Sequence, residues 1–404
     1  MSTSTSMTGE AAGLGRGKVF AMAACAGIAV ANIYYNQPLL GLIEASYPGS
    51  SMIGLVPTAT QFGYAIGLVL LVPLGDLAER RSIIAAQFVV LAAALAFAAI
   101  APTTTALMAA SLILGLSATV AQQIVPFAAI LADARSRGAV VGTVVSGILC
   151  GILLSRTVAG FVGAHFGWRE MFWLGVPLAL VAAALMRTTL PRHHPTQSIP
   201  YIAALRSLVH LLVEEPALRL AAATQAMLFA SFIAFWTMLS LHLQEPPLRL
   251  GPEVAGLFGV IGAAGIFAAP LAGRIADKRG PHLVVAIGAA ITLASWFSFA
   301  IWDKIAGLVV GVILLDIGVN CALVSNQHII FALRPEARSR LNTVFMTVMF
   351  IGGSLGSLGS SWAYGHFSWP GVCIYGAVLA AGGLLLQLPS IWSWRTLHAA
   401  HGKE

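Results

Sequence analysis

Apolar stretches of twenty or so residues recur twelve times along this chain, and they leave it few ways to fold. A helix rises about 1.5 Å per residue, so some twenty apolar residues cross the ~30 Å hydrocarbon core of a bilayer. The stretches cover residues 19–43, 52–74, 82–101, 104–130, 139–164, 170–186, 219–241, 253–273, 281–302, 305–331, 340–364 and 370–390. No soluble core needs so many: 58% of the 404 residues are apolar and 9% are charged, against about 25% charged in soluble proteins. Inside lipid the backbone must satisfy its own hydrogen bonds, so spans of this length are helices. The expected fold class is an all-α membrane protein with twelve transmembrane helices.

The loops give an orientation. With a cytoplasmic N-terminus, 18 of the 22 Lys and Arg fall in cytoplasmic segments, and three (Arg169, Arg249, Lys304) fall in outer loops. This positive-inside bias predicts that both termini are cytoplasmic, in an inner (plasma) membrane. The net charge of +7 is dispersed over these segments, which argues against nucleic-acid binding. The expected parts are a tail at 1–18, a six-helix bundle at 19–186, a cytoplasmic linker at 187–218, a second bundle at 219–390 and a tail at 391–404. Within the linker, "YIAALRSLVHLLVEEP" reads as an amphipathic helix lying on the membrane surface. His193 and His194 lack Cys or Asp partners nearby and read as solvated linker. Cys25, Cys150, Cys321 and Cys373 fall in apolar spans without a C-x-x-C pair, so neither a metal nor a disulfide framework is expected. No H-E-x-x-H occurs. Gly352-Gly353-Ser354-Leu355-Gly356 fits G-x-S-x-G but sits mid-helix, where no nucleophile elbow can form. No cofactor and no enzymatic activity are expected.

The halves repeat. "HFGW" at His165–Trp168 recurs as "HFSW" 201 positions later. "ARSR" at Ala134–Arg137 recurs 203 later, and "LGDLAER" at Leu74–Arg80 matches "AGRIADK" 198 later. A unit repeated in one orientation predicts two pseudo-symmetric six-helix bundles related by an axis along the membrane normal.

"GRIADKRG" at Gly273–Gly280 resembles the G-x-x-x-D-[RK]-x-G loop signature of the major facilitator superfamily, and lies between spans eight and nine, where that family carries its second copy. The first copy, "GDLAERRS" at Gly75–Ser82, puts Glu79 at the Asp position and adds Asp76. "NIYYNQPLL", "RTVAGFVG" and "ARSRLNTVFM" look like the bacterial drug and sugar efflux branch. Ser111 stands where proton-antiporting exporters carry an Arg on the fourth helix. Gly151-Ile152 stands where they carry Gly-Pro on the fifth. The resemblance implies a secondary transporter working by alternating access as a monomer, with export favoured over uptake. It also implies that spans one, four, seven and ten line the solute path. The loop motifs (Gly75, Asp76, Glu79 and Arg80; Gly273, Asp277, Lys278 and Gly280) would latch the cytoplasmic side. Asp76 or Glu79 would meet the start of span eleven, and Asp277 the start of span five, each at a helix N-terminus. Gly63/Gly67, Gly147/Gly151 and Gly352/Gly356 would smooth the seams between halves, or serve generic close packing.

Two charges lie deep within spans, Arg156 and Asp316, where a charge is costly and usually functional. Counted from the outer ends of their spans, their depths differ by about 5 Å. They are expected to pair across the halves and to break as the halves rock. A permanent structural pair and a titrating, proton-coupling Asp316 are the alternatives. The solute site is expected mid-bilayer. Its candidates are Asn32, Tyr35 and Asn36 on one face of span one, Gln122 (with Gln123) on span four, Gln225 and Trp236 (with Phe229 and Phe232) on span seven, and Asn320 and Gln327 on span ten. His328 could relay protons or simply be solvated. Aromatics with a few amides suit a small organic solute. The partners expected are that solute, protons and lipid. An uptake symporter or facilitator remains open, as does a non-transporting receptor or scaffold on the same fold.

Overall fold

The computed structural model describes residues 15–50, 52–133, 135–193, 200–302 and 304–401. Most of the N-terminal tail and His194 lie outside them, as does the Asp76 side chain.

The described residues form helices and no strands. Span one is α1 (Arg16–Ala31) followed by α2 (Asn36–Ser46). Spans two and three are α3 (Leu55–Leu70) and α4 (Arg80–Ala99), joined by a short 3-10 turn. Span four is α5 (Thr104–Ala118) and α6 (Val120–Leu131). Spans five and six are α7 (Arg137–His165) and α8 (Trp168–Thr189). The linker carries α9 (Tyr201–Glu214). Span seven is α10 (Pro216–Gln244), and span eight is α11 (Pro252–Gly262) with α12 (Ala264–Arg279). Spans nine and ten are α13 (Pro281–Ile301) and α14 (Ile305–Leu333). Spans eleven and twelve form one helical run, α15 (Arg338–His401), which includes the start of the expected C-terminal tail.

Two features of the bundle follow directly from the repeat. Gly167, between α7 and α8, has φ 114. Ser368, at the same repeat position, has φ 52 and ψ −153 and kinks α15 between spans eleven and twelve. Proline two residues later starts the next helix, where its missing N–H costs nothing. The outer surface is apolar: Val89, Phe161, Val181, Phe297, Leu355 and Leu385 are exposed. A soluble monomer does not show apolar surface on that scale. On α9, Leu208 and Leu211 pack against the ends of spans seven, ten and eleven, while Ile202, Val209 and Val213 stay exposed.

The glycine pairs do not lie on the seam between halves. A Cβ at Gly147 or Gly151 would collide with the Ala23 or Gly27 carbonyl on α1. One at Gly352 or Gly356 would meet Ala226 or Ala230 on α10, and one at Gly63 or Gly67 would meet Leu112 or Leu116 on α5. Each pair therefore holds two helices of the same half together. Spacing of four marks a close-packed face, and it does not say which neighbour packs there.

The halves meet at one end of the bundle. Ser240 donates to the Pro38 carbonyl at 2.8 Å, and Thr58 to Ser357 at 2.9 Å. Ser361 donates to the Gly54 carbonyl at 3.0 Å, and Thr157 to that of Gly256 at 3.1 Å. At the opposite end, where α7 starts and α12 ends, the described bonds of the loop motifs stay within one half. The four described hydrogen bonds between the halves thus lie together at one end.

Candidate transport site

Span one sets the geometry. Pro38 has no N–H, and its ring crowds the carbonyl four residues back. The chain tightens there: Ile33 donates to Val30 at 3.1 Å, Tyr34 to Ala31 at 3.1 Å and Gln37 to Tyr34 at 3.3 Å. Bonds of this i→i−3 kind turn each residue further round the axis than an α-helix does. Asn32, Tyr35 and Asn36 consequently do not act as one face. Asn32 donates to the Ile28 carbonyl at 2.6 Å, with its Oδ1 toward Gly175 on α8. Asn36 donates to Thr60 on α3 at 2.9 Å, and Tyr35 is buried.

The tightening delivers Tyr34 and Gln37 instead. Arg156 on α7 donates from Nε to Gln37 Oε1 at 2.9 Å. Its guanidinium lies 4.6 Å from the Tyr34 ring centre, 4.0 Å from Trp236 and 5.8 Å from Phe232. Sequence reasoning missed Tyr34 and Gln37. Their signal was Pro38, which forces a break one turn earlier.

Asp316 on α14 faces the same place from the other half. A Cβ at Gly262 would sit 3.1 Å from Asp316 Oδ2 and 3.1 Å from Trp236 Cζ2. The expected contact between Arg156 and Asp316 is not made. Arg156 is engaged by Gln37 and three rings, and its Nη2 has no hydrogen-bond partner, nor has Asp316 Oδ2. Arg156 lies over the face of Trp236, and the Trp236 ring and the Asp316 carboxylate both flank Gly262.

The other candidates separate into two groups. Asn320 donates to the Asp316 carbonyl at 2.9 Å and is half-buried, as is Gln327. Exposure along α14 rises from Asp316 through these two to exposed His328, toward the loop-motif end. Gln122 donates to the Tyr64 hydroxyl at 3.1 Å, and the Tyr64 ring lies tilted, 4.2 Å from Phe350 of the other half. Phe350 in turn meets Phe229, which stacks on Phe232. Gln225 is turned away: it accepts from Asn326 at 3.1 Å within its own half. Gln123 likewise bonds Gln87 at 2.9 Å within the first half. The described residues hold no cluster of three metal-ligating side chains.

A model described as Major Facilitator Superfamily matches residues 19–281 and 246–404. The chain belongs to the Major Facilitator Superfamily. It is 39% identical to the transporter YgaY of Escherichia coli O157:H7 over 382 residues, 93% of this chain and 95% of that one. It is 22% identical to the multidrug resistance protein B homolog of Mycobacterium tuberculosis H37Rv over 289 residues, 56% of this chain and 53% of the relative. A crystal structure of a bacterial homolog of the human lysosomal transporter Spinster superposes with a TM-score of 0.71 at 14% identity, covering 92% of this chain and 93% of that one. The fold is thus that of the superfamily, and the protein is an integral membrane transporter.

Glu79 pairs with Arg81 at 3.3 Å and accepts from Ser82 at 2.7 Å. Arg80 donates to the Gly75 carbonyl at 2.8 Å, and Arg81 to that of Leu190 at 3.4 Å. Asp277 lies 3.6 Å from His328 on span ten. Gly280 caps α12 at φ 87, a conformation that favours glycine. These described partners of Glu79 and Asp277 lie within the same half as each acid.

Proposed function

We propose that this chain exports a small organic solute across the inner membrane by alternating access, and that Asp316 couples export to proton entry. The observation that carries it is the asymmetry of the seam: the four described inter-half hydrogen bonds lie at one end, and the described bonds of the loop motifs at the other stay within their own halves, which supports a state open at the loop-motif end. With both termini cytoplasmic, as the basic loops argue, the open end faces the cytoplasm. Two units, 19–186 and 219–390, then rock about the Arg156–Trp236–Asp316 region. Export draws on the multidrug relative. Asp316 suits coupling because it is a buried acid on the span lining the path, with an oxygen left unpartnered. The latch acids Asp76, Glu79 and Asp277 would engage the starts of spans eleven and five when the cytoplasmic end closes.

Thiol labelling tests the cycle. In a chain freed of its four cysteines, Ser146→Cys at the open end is expected to react with an impermeant reagent from the cytoplasmic side. Ser240→Cys at the closed end is expected to react from the outside for part of the population. If Ser240→Cys never reacts from outside in transport-competent membranes, alternating access is wrong.

A further inference from the structure

Among the described residues, Arg156 and Asp316 are the two buried charges, 3% and 7% exposed. We infer that the Arg156–Trp236–Asp316 cluster binds the charged head of a small zwitterion of the amino-acid type, its anionic group on Arg156 and its cationic group on Asp316. This rests on the transporter reading above.

The unfilled valences point to such a ligand. Gln37 orients the guanidinium through Nε but, as a neutral amide, cannot neutralise it. Arg156 Nη2, Trp236 Nε1 and Asp316 Oδ2 are all buried without a hydrogen-bond partner. Nη2 and Nε1 can only donate and ionised Oδ2 can only accept. An anionic group would take the two donors, and an ammonium the acceptor.

Charge balance narrows the class. A buried charge left without a partner is strongly unfavourable. A simple anion would satisfy Arg156 and face Asp316 unshielded. A simple cation would do the reverse. A molecule with one charge of each sign, net neutral, complements both poles at once. Tyr34, Phe232 and Trp236 supply the aromatic walls for its apolar part. Gly259 and Gly262 on α11 keep the space open: a Cβ at 259 would be 3.0 Å from Arg156 Cβ, and one at 262 would press on Asp316 and Trp236. The poles sit on opposite halves, so the solute would bridge the two moving bodies. A proton and the cationic group would compete for one carboxylate, which is what exchange of solute for protons requires.

The test is thermal shift and calorimetric binding on the purified full chain. The probes are neutral α-amino acids from glycine to phenylalanine, with the matching amides (cation only) and N-acetyl derivatives (anion only). At least one zwitterion is expected to bind, with both single-charge analogues at least tenfold weaker. Arg156→Gln should erase the preference over the amide, and Asp316→Asn the preference over the N-acetyl form. Arg156→Lys and Asp316→Glu, which keep the charges, should retain part of the binding and show that loss is not misfolding. Equal binding of a single-charge analogue, unchanged zwitterion binding in both neutral variants, or no shift with any zwitterion overturns the inference. The thiol-labelling result is independent of all three outcomes.

Discussion

Arg156 reaches across its own half to Gln37, 2.9 Å away, and not across the seam to Asp316. The bond fixes the plane of the guanidinium over Trp236, leaving Nη2 free to bind. Gln37→Ala is therefore expected to weaken solute binding roughly tenfold, the loss of one charge-assisted hydrogen bond of about 1.5 kcal/mol. Gln37→Glu places a carboxylate against Arg156 and should abolish transport by satisfying the guanidinium internally. Initial rates in reconstituted vesicles, normalised to folded protein, check both.

The closed end can be locked. Thr58 Oγ1 and Ser357 Oγ are 2.9 Å apart on α3 and α15, in opposite halves. The double variant Thr58→Cys/Ser357→Cys, in a background without the native cysteines, should cross-link on mild oxidation. Cross-linking is expected to cut transport more than tenfold, with recovery on reduction. Transport that continues in the oxidised protein would mean these spans do not part during the cycle.

Much of this was legible before any coordinates. The helical spans and the repeat follow from composition and period, because lipid imposes one rule on every crossing segment. Arg156 and Asp316 stood out because a charge at depth is costly and usually functional. Side-chain direction was less legible. Asn32 and Asn36 looked like one face because an unbroken helix was assumed, and one tightened turn before Pro38 sends them to α8 and α3. Gln37, next in the chain, went unnoticed for the same reason. Gly147 and Gly151 read as seam residues because spacing carries no partner identity; the glycines that touch across the seam, Gly160 and Gly256, meet each other outside any repeat of four.

Those two glycines offer a way to tip the balance between conformations. A Cβ at Gly160 would collide with the Pro252 carbonyl, and one at Gly256 would stand 2.7 Å from that of Arg156. Backbone cannot yield as a flexible side chain does, so Gly160→Val should push the closed end apart. The expected result is a larger fraction of Ser240→Cys labelled from outside and less of Ser146→Cys labelled from the cytoplasm. Opposite or unchanged labelling would show that α7 and α11 do not form the seam.

Asp316 is expected to carry the pH dependence. The charged group that acts on it is Arg156 from α7. A proton on Asp316 removes the charge that holds a cationic group, so acidifying the solute side should weaken binding in the native protein. Asp316→Asn should bind weakly at every pH, and should no longer use a proton gradient to concentrate solute in vesicles. Gradient-driven accumulation surviving in Asp316→Asn would assign coupling to another residue.

The kink between spans eleven and twelve gives a prediction about stability alone. Ser368 holds φ 52 and ψ −153, at the edge of a region that only glycine adopts freely. The first half of the repeat has Gly167 at this position, at φ 114. Holding a side chain there costs on the order of 1–3 kcal/mol. Ser368→Gly should recover part of that and raise the melting temperature, against a smaller loss from freeing the unfolded chain. Gly167→Ser should lower it. Ser368→Ala is the control, since it keeps the Cβ and removes only the hydroxyl. If alanine stabilises as much as glycine, the backbone conformation is not the source of the strain.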